Sequence, residues 1–206
     1  MMMISLKNAG KRFNHEWIFR HLTYTFEAGS SYAITGPNGS GKSTLLQSLS
    51  GSMQFSEGTG EWKSENGALM NDKVYQQIAI CAPYLELIEE MTAKEFLDFH
   101  AQFKPFLPPL STEDILSLIH LEHAAGKQIR YFSSGMKQRI KLAQAIFADV
   151  PVLLLDEPCT NLDIDGTRLY QDLIERFAGN KLVIVSSNDQ QEYQFCKHTL
   201  SITDYK

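Results

Sequence analysis

The chain has 206 residues, 43% hydrophobic and 21% charged, with a formal net charge of −5. That length suits one hydrophobic core with a smaller subdomain, the composition is ordinary for a globular protein, and the acidic balance argues against a nucleic-acid surface. Cys81, Cys159 and Cys196 are widely spaced and form no C-x-x-C pair, which excludes a disulfide framework or zinc site as a first reading and fits a reducing compartment. No apolar stretch approaches the roughly 20 residues that cross a bilayer. Met1-Met2-Met3 lacks the charged and apolar regions of a signal peptide. If the protein serves transport, the membrane path is expected in another polypeptide.

Residues 4–26 predict antiparallel strands with a turn near Asn14-His15. Tyr32-Ala33-Ile34 predicts a strand and Leu45 to Leu49 a helix. Between them, Gly36-Pro37-Asn38-Gly39-Ser40-Gly41-Lys42-Ser43-Thr44 fits the phosphate-binding pattern G-x-x-x-x-G-K-[ST]. Glycines let backbone N–H groups turn inward around phosphate oxygens, and the helix N-terminus adds a favourable dipole. Lys42 would reach the β- and γ-phosphates of a nucleoside triphosphate, and Ser43 would offer its hydroxyl to Mg²⁺. The strand–loop–helix context separates this from a Gly/Ser turn before an ordinary helix.

Gly58 to Lys63 predicts a short strand and Glu65-Asn66-Gly67 a hairpin turn. Thr92-Ala93-Lys94-Glu95 is a capping box that opens a helix through about Phe103, broken by Pro105, Pro108 and Pro109. Ser111-Thr112-Glu113-Asp114 opens another, expected to end just before Gly126, with Ile115, Leu118 and Ile119 on its apolar face. Phe96, Phe99, Phe103 and Phe106 recur at spacings of three and four. They read as core or, with Tyr84 and Leu85, as a docking groove. His15, His21, His100, His120, His123 and His198 show no metal-ligand spacing.

Ser133-Ser134-Gly135 precedes a helical pattern reaching about Asp149. It reads as an ordinary Ser-capped helix or as a second anion site at a helix start. Val152 to Leu155 is apolar and ends in Asp156-Glu157, which suits a strand buried on both faces of a parallel sheet. Beside the phosphate loop, Asp156 would hold a Mg²⁺ water and Glu157 would orient or deprotonate an attacking water. A helix from Asp163 to about Ala178 is stopped by Gly179-Asn180. Strand Leu182 to Val185, a short helix and a last strand follow. The alternation argues an α/β fold with a parallel-sheet core.

In this order, the segments resemble the ATP-binding cassette (ABC) family over essentially the whole chain. Gly36 to Thr44 looks like its Walker A motif, and Val152 to Glu157 with Pro158 like its Walker B motif and catalytic glutamate. Phe132-Ser133-Ser134-Gly135-Met136 looks like its signature, and Thr160-Asn161-Leu162-Asp163 like its D-loop. Lys11-Arg12-Phe13-Asn14 resembles the segment carrying an adenine-stacking aromatic, which names Phe13. The resemblance implies one cassette over residues 1–206. It would have a P-loop NTPase core with a mostly parallel sheet, an antiparallel β subdomain and a helical insert at about residues 84–140. It implies ATP and Mg²⁺ as ligands, with Ser43 and Asp156 on the metal. Phe13, Gly36 to Thr44, Ser133 and Gly135 would lie on the nucleotide, and Glu157, Lys42 and Asn188 at the chemistry.

The same resemblance implies a head-to-tail homodimer or heterodimer, a transmembrane permease partner and no nucleic acid. The chain would sit in the cytoplasm, peripheral on the inner membrane. Its style is that of small exporter-type systems and, more loosely, the haem-exporter subunit of cytochrome c maturation. Three features depart from the pattern. Pro83 stands where the family has a Mg²⁺-contacting glutamine, and proline has neither a side-chain carbonyl nor an N–H; Glu86 is a nearby substitute. Asn188 stands for the switch histidine and carries no charge. Ser134 and Met136 replace the first glycine and last glutamine of the signature. These departures predict slower turnover than a full-motif cassette. Two alternatives remain: a nucleotide-holding cassette that pairs with a fuller one, and a soluble, non-transport cassette.

Overall fold

The computed structural model describes residues 2–65 and 67–206. The chain opens with a hairpin of β1 (Met2–Phe13) and β2 (Glu16–Phe26), turning at Asn14 as expected. Next come β3 (Ser31–Thr35), α1 (Lys42–Leu49), β4 (Glu57–Ser64), β5 (Gly67–Ala68) and β6 (Ile78–Cys81). Helices α2 (Ala93–Phe103), α3 (Thr112–Leu118) and α4 (Ser134–Ile146) lead to β7 (Val152–Asp156) and α5 (Ile164–Phe177). Strand β8 (Leu182–Ser186), the short α6 (Gln190–Tyr193) and β9 (His198–Ser201) complete the order. The turn expected at Glu65-Asn66-Gly67 has its central residue, Asn66, outside the described residues.

Two sheets form. One is antiparallel with strand order β2-β1-β4-β5; the other is parallel with order β6-β7-β8-β3-β9. The parallel strands β7 and β8 are buried on both faces, so alternate side chains must enter different layers. Leu153, Leu155, Val183 and Val185 pack with the helical layer of α2 to α5. Val152, Leu154, Leu182 and Ile184 pack with α1 and the antiparallel sheet. By the same period of two, Asp156 points to the α1 side, where the phosphate loop lies. Its register partner on β8 is Ser186.

Helices α2 and α3 start where their sequences predict. Thr92 with Glu95, and Ser111 with Asp114, form complete capping boxes. Helix α3 ends at Leu118, earlier than the sequence suggests. His120 takes a left-handed conformation (φ 57°), and Leu121 N and His120 N donate to Leu116 O and Ser117 O. This is a Schellman closure, and the buried Leu116 and Leu121 give it the usual apolar contact. Glycine normally marks such a stop; histidine hid it. The phenylalanine ladder also divides. Phe96 is core and Phe106 packs against it. Phe99 and Phe103 stay exposed, Phe103 at 71%, as an edge-to-face pair 5.1 Å apart.

Helix α4 carries the Ser133 segment at its start and is held at its end by a buried lysine. Lys181 Nζ donates to Ile146 O (2.7 Å) and Ala148 O (2.6 Å). A cation there also complements the helix dipole. Lys181→Met is expected to leave these carbonyls unpaired and to cost about 1–3 kcal/mol, read as a lower urea midpoint with an unchanged slope.

Candidate functional site at the phosphate loop

Strand β3 is buried along Ser31 to Ile34, and the chain leaves it at Thr35 to form the loop. Gly41, the N-cap residue of α1, has φ 103°. A Cβ there would lie 2.3 Å from Cγ2 of Ile18 on β2. Only glycine meets both the left-handed conformation and this contact. Lys42 is buried; its Nζ donates to Gly36 O (2.8 Å) and Pro37 O (3.4 Å), back across its own loop. A pocket of about 220 Å³ opens here, lined by Ile18, residues 38–44 and Glu157. The phosphate-loop residues and the glutamate after β7, more than a hundred positions apart in sequence, thus share one cavity.

Asp156 is 2% exposed, and its Oδ1 has no hydrogen-bond partner among the described residues; the same is true of Ser40 Oγ and Ser186 Oγ. Buried oxygens without partners are costly unless a ligand or water completes them. Hard oxygen donors in a site supplying only one or two protein ligands suit Mg²⁺ bound with phosphates. No group of three or more His, Cys, Asp or Glu among the described residues forms a self-sufficient metal cage. The donor set therefore fits Mg-nucleotide, and Ser43 and Asp156 are the residues that would hold the metal.

Glu157 has φ 43°, uncommon for a residue other than glycine. Its N–H donates to Ser186 O (2.9 Å), and its carbonyl accepts from Thr160 N and Thr160 Oγ1. Asn188 leans onto the loop: its Oδ1 accepts from Gly36 N (3.3 Å), and its Nδ2 donates to Asn38 Oδ1 (3.0 Å). Its amide thus does two jobs that a neutral imidazole would do differently, one nitrogen at a time.

Pro83 follows β6, and its carbonyl accepts from Lys141 Nζ (3.0 Å). Glu86 lines a separate cavity of about 370 Å³ with Pro83 and Lys137, against the start of α4, rather than the phosphate pocket. Tyr84, next to Pro83, is near enough to feel the Asp156 charge: burial, and to a smaller degree that charge, raise its pKa, while the Gln47 side chain of α1 lowers it. Sequence reasoning assigned Tyr84 only to a docking groove. It also missed Ile18, which no motif marks. Ser133 caps α4 by accepting from Met136 N (3.3 Å), and Gly135 sits tightly against Asn161 O of the same chain. Neither lines the phosphate pocket of its own chain. Phe13, 46% exposed at the end of β1, lies under Lys11 Nζ at 5.3 Å and also stands outside that pocket.

A glycine-rich loop between a buried parallel strand and a helix, with acids at the end of β7, separated from that strand by β8 alone, defines a P-loop nucleotide-binding protein. The ABC transporter family model matches residues 19–160. An uncharacterized ABC transporter ATP-binding protein of Bacillus subtilis, YybJ, is 30% identical over 203 residues, covering 97% of this chain and 92% of its own length. The cytochrome c biogenesis ATP-binding export protein CcmA of Rhizobium etli is 30% identical over 199 residues, covering 92% and 89%. In fold, the chain superposes on the dimeric bacterial ABC transporter cassette MJ0796 with a TM-score of 0.80 at 24% identity, covering 97% and 94%. The chain belongs to the ABC transporter family, as an ATP-binding subunit.

Gly41→Ala is expected to push Ile18 or the loop aside and to lower ATP affinity by about tenfold or more, roughly 1.4 kcal/mol. Titration with a fluorescent ATP analogue checks this, and unchanged affinity would count against the tight Gly41–Ile18 fit.

Proposed function

We propose that this chain hydrolyses ATP to power an exporter-type transporter whose membrane path is a separate permease. The observation that carries the reading is the shared pocket of Lys42, Ser43 and Glu157, with Asp156 buried and unpaired beside it. Lys42 turns from the Gly36 and Pro37 carbonyls to the β- and γ-phosphates, and the loop N–H groups receive the remaining phosphate oxygens. Ser43 and Asp156 would hold Mg²⁺, which would supply positive charge to the phosphates as negative charge develops there. Glu157 accepts the proton of the attacking water, and Asn188 donates an amide hydrogen toward the γ-phosphate. Phe13 offers its exposed ring to the base. Stacking by itself accepts any purine; membership of a family of ATP-binding subunits favours adenine.

Ser133 and Gly135 lie away from the phosphate pocket of their own chain, and Ser133 is exposed. Two copies, or this chain and a fuller cassette, close head-to-tail so that each copy's Ser133–Gly135 segment completes the other's site. The dimeric MJ0796 cassette supports this arrangement, and the export function in the printed name of CcmA supports the direction of transport. ATP favours the closed pair because only that state contacts it from both sides. No helix among the described residues is long and apolar enough to cross a membrane, which supports a separate permease at the cytoplasmic face. The helical region at about residues 84–140 presents Tyr84, Phe99 and Phe103 as exposed aromatics for that contact.

Steady-state Mg-ATP turnover tests the reading. Glu157→Gln is expected to lower turnover by about a hundredfold or more, while keeping ATP bound and shifting gel filtration toward the dimer. A parent chain that binds ATP without turning it over would favour pairing with a fuller cassette. Asn188→His is expected to raise turnover by restoring a group that exchanges protons near neutral pH; no rise would argue that Asn188 is a full substitute. Phe13→Ala is expected to weaken ATP binding by about 1–3 kcal/mol if the base stacks there, measured by calorimetric titration.

A further inference from the structure

The turn carrying Glu157 is gripped from two sides by buried polar side chains. Gln138 of α4 donates from Nε2 to Pro158 O at 2.6 Å. Glu192 of α6 accepts from Cys159 N at 2.7 Å. Both side chains are buried, Glu192 at 5% exposed. The two bonds flank a backbone that leaves β7 through the left-handed Glu157, a conformation that persists only where its surroundings enforce it. The backbone of Glu192 ties it to the segment that carries Asn188: Glu192 N donates to Asp189 O, the residue after Asn188, and Tyr170 Oη donates to Glu192 O. Glu157, Cys159, Ser187, Asn188 and Glu192 line one cavity of about 460 Å³.

We propose that Glu192 is a positioning residue that locks the Glu157 turn to the Asn188 segment, so that the two γ-phosphate-side groups move as one body. This rests on the reading of Glu157 as the group that activates water. Glu192 makes no contact with the phosphate loop and acts through the two backbone segments it joins. One residue joins the two segments, its side-chain oxygen accepting from the Cys159 amide and its backbone N–H donating to Asp189 O. Gln138 brings α4, and hence the Ser133 segment, to the same turn. Movement of that segment against a partner copy is thereby transmitted to Glu157. A glutamine at this position keeps an acceptor oxygen in a side chain of the same shape.

The test uses the full chain with Glu192→Met, which fills the space without an acceptor, and Glu192→Gln, which keeps one. Amide hydrogen exchange reads the clamp without requiring turnover. Glu192→Met is expected to speed exchange at the Cys159 and Thr160 amides by about tenfold, as loss of a local hydrogen bond does. It should lower kcat by about tenfold with KM and ATP affinity within about twofold, the pattern of a lost transition-state arrangement. Glu192→Gln should recover most of both effects. Wild-type exchange and kcat in Glu192→Met would overturn the proposal, as would loss of kcat together with ATP binding, which marks general damage. If Glu192→Met does not fold, Tyr170→Phe frees the Glu192 carbonyl and loosens the same clamp from its other side. It should then slow kcat and loosen the Asn188 segment by about threefold, and wild-type behaviour would overturn the proposal. A parent chain without turnover counts against the role given to Glu157, and the exchange data still decide the clamp.

Discussion

The fold depends on burying the central parallel strands on both faces. Strands β7 and β8 carry apolar side chains in both directions and require two layers to cover them. The helices α2 to α5 supply one layer; α1 and the antiparallel sheet supply the other. With both faces closed, polar chemistry is left to the carboxyl ends of the strands, where Thr35, Asp156 and Ser186 emerge. This is where ligands gather in open α/β sheets. The alternation that builds the core also aims Asp156 at the phosphate loop: a shift of one residue in β7 would turn it into the helical layer.

The site is correspondingly dense in buried polar groups. Lys42 spends its donors on loop carbonyls, while Asp156, Ser40 and Ser186 each hold an oxygen without a protein partner. A folded chain tolerates such groups where a ligand or solvent completes them. Other buried polar groups are paired: Lys181 with two carbonyls at the end of α4, Gln138 and Glu192 with the turn after β7. These paired groups hold the frame around the loop. Cys159, within this frame, is a thiol whose pKa burial pushes up to about 12, so it packs as a small apolar side chain rather than reacting.

Two substitutions within the family pattern are accommodated differently. Pro83 leaves its position without a side-chain ligand, and the adjacent Tyr84 is near enough to feel the charge of Asp156. Glu86, the residue chemistry suggested as a replacement, faces another cavity because the chain after Pro83 runs beside α4. Asn188 keeps the place of the switch residue but engages the loop with both ends of its amide. It orders Gly36 and Asn38 without carrying a charge. The phosphate-loop pattern from Gly36 to Thr44 is complete, and on the proposed reading the departures fall on the side of the γ-phosphate.

By itself the sequence determined the local elements and the chemistry of the loop. Unbroken apolar runs mark β7 and β8, capping boxes mark the starts of α2 and α3, and the spacing from Gly36 to Thr44 marks the phosphate cradle, because each is written in consecutive residues. The end of α3 was not legible, since His120 adopts a conformation that glycine normally signals. Nor was the fate of the phenylalanines: identical spacing places Phe96 in the core and leaves Phe103 at the surface, and only the packing of α2 against its neighbours decides which face is covered. The tertiary structure alone brought Glu157 into the pocket with Lys42, set Tyr84 rather than Glu86 near Asp156, and joined Glu192 to Cys159. These contacts link distant segments, and a single buried glutamate on a four-residue helix leaves no pattern in the sequence until the fold supplies the amide it accepts.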